Sequence, residues 1–181
     1  LAKENGLNGI FFVAQDADSR ARDKNLAMGF DAIYNADKFN IHHHLSNIKK
    51  TWLYVKREWF HLPTVFEYKD AINYMVTQEC YERDVFPSIA PNFDHSPRSG
   101  RKSIILKNSK PEYFKKVILK ALEAVRDKPE EEQIIFLVSW NEWGEGNYLE
   151  PDLEFGMQYL DTLHDTIMEF TDRDQKKQNL L

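Results

Sequence analysis

Two glutamates three residues apart, Glu142 and Glu145, are the side chains of this sequence best suited to acid–base chemistry. They follow the apolar run IIFLVSW at 134–140, and Gly144 and Gly146 leave the backbone around Glu145 free to turn tightly. Two carboxyl groups in one pocket are the apparatus of glycoside chemistry. One acid protonates a leaving oxygen, and the other acts as base or nucleophile. The pattern therefore favours catalysis on glycosidic bonds.

Aromatic and amide side chains surround this pair in the sequence, at Trp140, Asn141, Trp143 and Tyr148. Aromatic rings stack on the apolar faces of sugars, so we predict that these four residues bind substrate beside the glutamates. A purely structural interpretation stays open. In it, Asn141 and Glu142 form a loop and a cap while the two tryptophans fill the core.

A second polar segment, PSIAPNFDHSPRSG at 87–100, also follows a short apolar run. It contributes Asp94, an acceptor, and Arg98, a rigid fork donor, which together could hold sugar hydroxyls or orient a carboxylate. We predict that both bind substrate. The alternative is an Asp–Arg pair that only holds the loop.

Metal-binding patterns in the sequence are weak. Asp16 and Asp18 have the Asp-x-Asp spacing of metal-phosphate sites, but capping of the next helix explains them more simply. Three consecutive histidines at 42–44 cannot all point one way, and Cys80 is the only cysteine. We predict no metal ion, no cofactor and no disulfide, and expect Cys80 to be a buried thiol.

The elements that must position these residues alternate between strand and helix patterns. Apolar runs predict strands at 9–14, 30–35, 85–91 and 134–140, with a further strand-like segment, TVFEY, at 64–68. Apolar residues at three- and four-residue spacing predict helices at 18–28, 69–80, 111–127 and 152–170. The alternation predicts an α/β fold.

The strands are nearly continuous apolar runs, as in a parallel sheet that is covered on both faces. Such folds place their sites at the carboxyl ends of the strands, where Glu142 and Asp94 would emerge. A complete (β/α)8 barrel needs about 250 residues. About four βα units therefore predict the C-terminal part of a (β/α)8 TIM barrel over 1–170, with an open α/β sheet as the alternative. We expect an insertion at 36–64, partly helical, over the catalytic face, and a polar, frayed tail at 171–181.

The overall charge of −5, without a long basic run, gives no electrostatic footprint for nucleic acid or an anionic membrane surface. No apolar run approaches the roughly 20 residues of a spanning helix, so we predict no membrane span. The chain begins with Leu1 and not with methionine. We therefore expect that it belongs to a longer polypeptide, in which a signal peptide cannot be assessed from these residues.

The segment SWNEWGEGNYLEPD at 139–152, together with PSIAPNFDHSPR at 87–98 and KPEYF at 110–114, resembles the WbsX-like family of bacterial polysaccharide-biosynthesis glycosyltransferases. That family is related to glycoside hydrolase family 99, the endo-acting α-mannosidases and mannanases. The resemblance covers most of 9–165. It implies a (β/α)8 barrel whose N-terminal half also lines the site, and that half would be missing here.

The resemblance also implies roles for the candidate residues. In the hydrolases a similar motif reads Asn-Glu-Trp-His-Glu-Gly; its first glutamate is the base on the 2-hydroxyl, which gives an anhydro-sugar, and its second is the acid. Carried over, Glu142 is the base and Glu145 the general acid/base. Asp94 and Arg98 fall where that family has a Pro-Gly-Tyr-Asp loop ending in arginine. Gly144 departs from the pattern, because it replaces the histidine.

The function that the resemblance implies is glycosyl transfer during assembly of bacterial lipopolysaccharide or surface polysaccharide. The substrate would be a glycan or sugar, and the location the bacterial cytoplasm or the periphery of the membrane. Two alternatives stay open. One is a family 99-like hydrolase of the endo-α-mannosidase type, and the other is a non-catalytic carbohydrate-binding or scaffold module.

Overall fold

Ten short strands and six α-helices make up the part of the chain that the computed structural model describes, residues 2–16, 21–35 and 40–178. The strands are β1 (Val13–Asp16), β2 (Ala32–Asn35), β3 (Thr64–Glu67), β4 (Val85–Phe86), β5 (Ser88–Ile89), β6 (Phe93–Asp94), β7 (Ile104–Lys107), β8 (Phe136–Leu137), β9 (Asn141–Glu142) and β10 (Asn147–Tyr148). The helices are α1 (Arg22–Ala27), α2 (Asn47–Trp59), α3 (Tyr68–Met75), α4 (Ser96–Ser99), α5 (Pro111–Val125) and α6 (Gln158–Gln178). The predicted α/β class is confirmed.

Parallel strands in chain order form two small sheets, β1–β2–β4 and β5–β8, which are together called the main sheet. β1 pairs with β2 and β2 with β4, while β5 pairs with β8, all in parallel. Only Pro87 separates β4 from β5; it has no N–H to donate, but its carbonyl accepts from the backbone N–H of Phe136 at 3.0 Å. The two sheets therefore meet at Pro87, and the strand ends beyond β5 and β8 lie side by side.

A separate three-stranded sheet follows the carboxyl end of β5. β7 lies at its centre, parallel to β3 and antiparallel to β6, which begins four residues after β5 ends. The buried hydroxyl of Tyr68, the first residue of α3, donates to the carbonyl of Ala90 at 2.7 Å and ties this sheet to the main one. The sequence predicts β3, but β7 was missed because its apolar run is only three residues long.

The predicted insertion at 36–64 contains α2. Residues 36–39 lie outside the described residues, and Ser46 caps the helix by accepting from the backbone N–H of Lys49 at 3.4 Å. No residue of α2 is buried. Its position over a catalytic face stays a prediction.

The core packs between the main sheet and the helices α3, α5 and α6. The apolar stripe predicted for α5 is confirmed. Its buried members are Phe114, Val117, Ile118, Ala121 and Val125, and Leu122 packs against them partly buried. Cys80 is a free, fully buried thiol, as predicted, and burial raises the pKa of that thiol. Among the helices of the described residues, none combines the length and the apolar character needed to cross a lipid bilayer.

The ends of two helices differ from prediction. The last helix starts at Gln158 and not at 152, because the Asp152 carboxylate accepts from the backbone N–H groups of Glu154 and Phe155 and closes a turn first. That helix continues to Gln178, so the tail is helical as far as the description reaches, and 179–181 lie outside it. The first helix starts at Arg22.

The structure describes only part of the Asp-x-Asp segment formed by Asp16 and Asp18. Asp18 lies outside the described residues, and of Asp16 only the backbone is described. Within the part of the chain that is described, no three histidine, cysteine, aspartate or glutamate side chains are grouped to hold a metal ion.

Candidate active site

A tight hairpin carries both glutamates. β9 and β10 pair antiparallel, with Glu142 opposite Asn147, and a single 3-10 turn over Trp143–Glu145 joins them. Gly146 closes the turn in the left-handed region at φ 47°, and its N–H donates to the carbonyl of Trp143 at 3.1 Å. Glu142 and Glu145 therefore stand at the two ends of one short loop.

Gly146 also brings the hairpin against β6. A Cβ at this position would lie 3.0 Å from the Cβ of Asp94 and 3.1 Å from its backbone nitrogen, closer than real Cβ atoms normally approach. Only glycine combines this approach with a left-handed backbone. The two polar segments predicted from the sequence, 87–100 and 139–152, thus meet at one point.

Partly buried hydrogen bonds fix the base of the hairpin. The side-chain oxygen of Asn147 accepts from the backbone N–H of Ser139 at 3.0 Å, and the Ser139 hydroxyl donates to the Asn147 carbonyl at 2.9 Å. The amide oxygen of Asn92 accepts from the backbone N–H of Tyr148 at 2.8 Å. These contacts orient the loop. The sequence does not predict them, because Ser139, Asn147 and Asn92 belong to no recognisable motif and Asn92 lies 56 residues before Tyr148.

Arg98, on α4, joins the two glutamates. Its Nη1 donates to Oε1 of Glu145 at 2.9 Å, and its Nη2 approaches Oε1 of Glu142 at 3.4 Å. The carboxylates therefore converge within the reach of one guanidinium. Among the described residues, neither Oε2 atom has a hydrogen-bond partner, so each glutamate keeps one oxygen for proton transfer.

His95 is a site residue that the sequence analysis missed. Its Nε2 lies 3.5 Å from Oε1 of Glu145 and 3.3 Å from the Ser99 hydroxyl. The available signal was its place between Asp94 and Arg98 in a segment already singled out. Glu145 is thus contacted by two side chains of that segment, whereas Glu142 is contacted by one and is more exposed.

Asp94 has a positioning contact in this structure. Its Oδ1 accepts from the backbone N–H of Ser96 at 2.8 Å, where α4 begins, and its backbone lies against Gly146. Arg98 pairs with the glutamates and not with Asp94, so the alternative of an Asp–Arg loop pair is wrong. Substrate binding by Asp94 stays a prediction.

The aromatic residues around the glutamates face outward. Trp140 and Trp143 are each about half exposed, so the alternative that they fill the core is wrong. The Trp143 ring stacks on Tyr148 with centroids 3.8 Å apart and planes 18° apart, and its Nε1 donates to Glu150 at 2.8 Å. These two contacts fix the plane of the Trp143 ring, and substrate binding by Trp143 stays a prediction.

Tyr148 is held from the other end as well. Its hydroxyl donates to Oδ2 of Asp152 at 3.1 Å, and burial, followed by this hydrogen bond, raises the pKa of Tyr148 to about 12. The phenol therefore stays protonated at neutral pH and keeps donating to Asp152. Asn141, opposite Tyr148 in the hairpin, is exposed beside the glutamates.

A cavity of about 510 Å³ lies beyond the contact between Asp94 and Gly146. Tyr148, Asp152 and Glu154 line it together with residues of β7, but Glu142 and Glu145 do not. The side chains of Glu142 and Glu145 are instead 44% and 22% exposed to solvent. The cavity and the carboxylates are therefore neighbours that share one wall.

Gly144 lies between the carboxylates without a side chain. A Cβ there would be 3.2 Å from Oε1 of Glu142 and 3.5 Å from Nη2 of Arg98. We expect Gly144→Ala to displace the Glu142 carboxylate and to lower kcat/KM by about tenfold or more, since small displacements of catalytic groups are costly. The melting temperature should stay within about 2 °C because the residue is exposed.

The control for this prediction is Gly9→Ala, because Gly9 is exposed and nothing lies within 4 Å of the added Cβ. It should leave both activity and melting temperature unchanged. An unchanged kcat/KM in Gly144→Ala would show that the position of Glu142 does not matter for turnover.

Two solved structures align with most of this chain. A glycoside hydrolase-like protein aligns with 91% of this chain and 46% of its own, at a TM-score of 0.55 and 17% identity. The glycoside hydrolase family 99 endo-α-mannosidase from Bacteroides thetaiotaomicron aligns with 96% of this chain and 49% of its own, at a TM-score of 0.50 and 13% identity. The fold of this chain is thus similar to that of about half of each of these two proteins.

The family model for glycosyltransferase WbsX matches residues 1–163, and the chain belongs to this family. The resemblance found in the motifs is confirmed. An uncharacterized protein, WxcX, from two strains of Xanthomonas campestris pv. campestris is 26% identical over 98 residues. The chain spans 14% of the length of these curated relatives and about half of the solved structures. Family and fold together support a carbohydrate-active enzyme.

Proposed function

We propose that this chain is the C-terminal part of a (β/α)8 barrel that acts on glycosidic bonds. The chain-order parallel strands support the barrel. Exposed and partly buried apolar residues at the two outer strands, β1 and β8, also support the barrel. Ile10, Phe11 and Phe12, next to β1, are exposed, and residues 134–138 around β8 are only partly buried. Further strands beside β1 and β8 would bury these apolar residues and close the sheet.

The reaction we propose is glycosyl transfer during assembly of a bacterial surface polysaccharide. One observation carries the proposal: a single guanidinium, that of Arg98, joins Glu142 and Glu145 at the end of a parallel strand. Two neighbouring carboxylates repel each other when both are ionised, and a cation between them reduces that repulsion. Arg98 supplies that charge and still leaves Oε2 of each glutamate available.

In the first step of the proposed mechanism, Glu142 takes the proton of the 2-hydroxyl of the sugar. The freed oxygen attacks C1 of the same ring while the bond from C1 to the leaving oxygen breaks. Glu145 gives its proton to that leaving oxygen, so the products are an anhydro-sugar and a free hydroxyl. After this step Glu142 is protonated and Glu145 is ionised.

In the second step an incoming hydroxyl opens the anhydro-sugar. Glu145 takes the proton of the incoming group, which bonds to C1, and Glu142 returns its proton to the 2-oxygen. A sugar hydroxyl as the incoming group gives transfer, whereas water gives hydrolysis. The pair of glutamates serves both reactions equally.

Binding in this proposal uses the aromatic residues and the second polar segment. Trp143, held by Tyr148 and Glu150, would stack on a sugar ring. Trp140, Asn141 and Asp94 would contact hydroxyls next to the scissile bond.

Hydrolysis is the second candidate, because the fold matches an endo-α-mannosidase. The test is incubation of the longest natural polypeptide that contains this chain with α-linked manno-oligosaccharides in ¹⁸O-water. Products longer than the substrate indicate transfer, whereas ¹⁸O at a new reducing end indicates hydrolysis. A matched substrate that lacks the 2-hydroxyl should bind without turnover. Equal turnover of that analogue would exclude the role of Glu142 as base on the 2-hydroxyl.

A further inference from the structure

The outer face of α2 is an apolar stripe that faces solvent. Ile48, Trp52, Val55 and Trp59 follow one another at spacings of four, three and four residues, which places them on one side of a helix. Ile48 is 83% exposed, Trp52 53% and Trp59 79%. A stripe of this kind normally packs against a partner, since exposed contiguous apolar surface marks an interaction site.

Basic side chains border this stripe. Lys49 and Lys56 lie on α2 next to it, and the Lys56 ammonium is 5.5 Å from the centre of the Trp52 ring. The single acidic residue of the helix, Glu58, is neutralised by Arg57, whose Nε donates to it at 2.8 Å. The helix therefore offers apolar and cationic groups with no free negative charge between them.

A second element adds basic residues at the end of α2. Arg101 and Lys102 are both exposed. After the hydrogen bond from Arg57, their positive charges also lower the pKa of Glu58. The Arg101 guanidinium contacts the ring of His61, two residues after the helix ends. Exposed Phe60 and Leu62 continue the apolar surface there. The border of positive charge thus extends past the helix onto the loop before β7.

The combination identifies the chemistry of the partner. Tryptophan on the apolar side and lysine at the border are the features of helices that lie in the plane of a bilayer interface. We propose that α2 lies flat on an anionic lipid surface, with Trp52 and Trp59 at the level of the headgroups. Four basic residues and one acidic residue in α2 contrast with the overall charge of −5. Total charge therefore conceals this local excess.

The length of α2 favours binding along the surface of the bilayer and not crossing of the bilayer. A helix of 13 residues is about 20 Å long, too short for the roughly 30 Å hydrocarbon core. Charge complementarity favours lipid over a second copy of this chain, because two copies would bring the same lysines together. The proposal does not depend on which reaction the glutamates perform.

The test is co-sedimentation of the longest natural polypeptide that contains this chain with vesicles of phosphatidylethanolamine and phosphatidylglycerol, compared with vesicles of phosphatidylcholine. We expect binding to the anionic vesicles that is at least about tenfold stronger and weakens with salt. Trp52→Ser with Trp59→Ser, and separately Lys49→Glu with Lys56→Glu, should each lower that binding about tenfold or more. The control is Leu153→Ser, an exposed apolar residue elsewhere, which should bind like the wild type.

Circular dichroism and light scattering complete the test. Unchanged spectra in both double variants would show that lost binding is not lost folding. The proposal is overturned if the wild-type protein does not bind anionic vesicles, or if the tryptophan variant binds them equally well. It is also overturned if the wild type is a dimer that this variant converts to a monomer, because a second copy would then cover the stripe.

Discussion

Replacing Glu145 with glutamine is expected to lower kcat/KM for glycosidic-bond cleavage by about 10²- to 10⁴-fold. Glutamine keeps the shape of the side chain and can still accept from Arg98, which lies 2.9 Å from Oε1. It cannot give a proton to the leaving oxygen. The loss should therefore appear in kcat more than in KM, because ground-state binding is retained.

The dependence on the leaving group separates this acid role from a purely structural one. A substrate with a good leaving group, such as a nitrophenol, needs little protonation and should lose much less in Glu145→Gln. Glu112→Gln, at an exposed residue in the first turn of α5, is the control and should retain full activity. Full activity in Glu145→Gln on the natural glycan would mean that the acid is a different residue.

Replacing Gly146 with alanine is expected to destabilise the protein by about 2–4 kcal/mol. The added Cβ would meet Asp94 at 3.0 and 3.1 Å, and the backbone at φ 47° is unfavourable for a side chain. Either the hairpin moves away from β6, or the loop of Asp94 moves. Urea unfolding measures the loss, and any folded variant should also lose activity because Arg98 no longer reaches both glutamates.

Gly156→Ala is the matched control for that prediction. Gly156 has a similar left-handed backbone at φ 56°, but no atom lies within 4 Å of an added Cβ. It should cost about 1 kcal/mol from the backbone alone. Equal losses in the two variants would show that the contact between Gly146 and Asp94 contributes nothing.

Much of this site could be predicted from sequence because its residues are local. The carboxylates, Trp140 and Trp143 occupy one six-residue segment behind an apolar run, and such a run indicates a strand end. Helix α5 was predictable for the same reason, since its buried stripe repeats at helical spacing. Gly146 was singled out as a turn residue, although its contact with Asp94 was not foreseen.

The tertiary contacts could not be predicted in this way. His95 reaches Glu145 across 50 residues, and Asn92 reaches the backbone of Tyr148 across 56. Neither contact leaves a periodic pattern. The late start of α6 follows from the turn that Asp152 closes, which competes with helix capping by the same side chain.

Arg98 is the residue that makes the two segments one site. The sequence predicted that Arg98 could hold sugar hydroxyls or orient a carboxylate, and the structure places it between the carboxylates of the two glutamates. A sugar entering the site would meet this guanidinium together with the carboxylates. The position of Arg98 thus explains why the loop at 87–100 and the hairpin must be held together.

The most direct test of the central claim is turnover of the glycan by the longest natural polypeptide that contains this chain and by its variants Glu142→Gln, Glu145→Gln and the double variant. Two groups that act as a unit in one reaction give non-additive losses. We predict measurable wild-type turnover and a double variant no slower than the slower single variant. Wild-type glycan binding without any turnover, and unchanged in Glu142→Gln, would contradict it and indicate a non-catalytic carbohydrate-binding module.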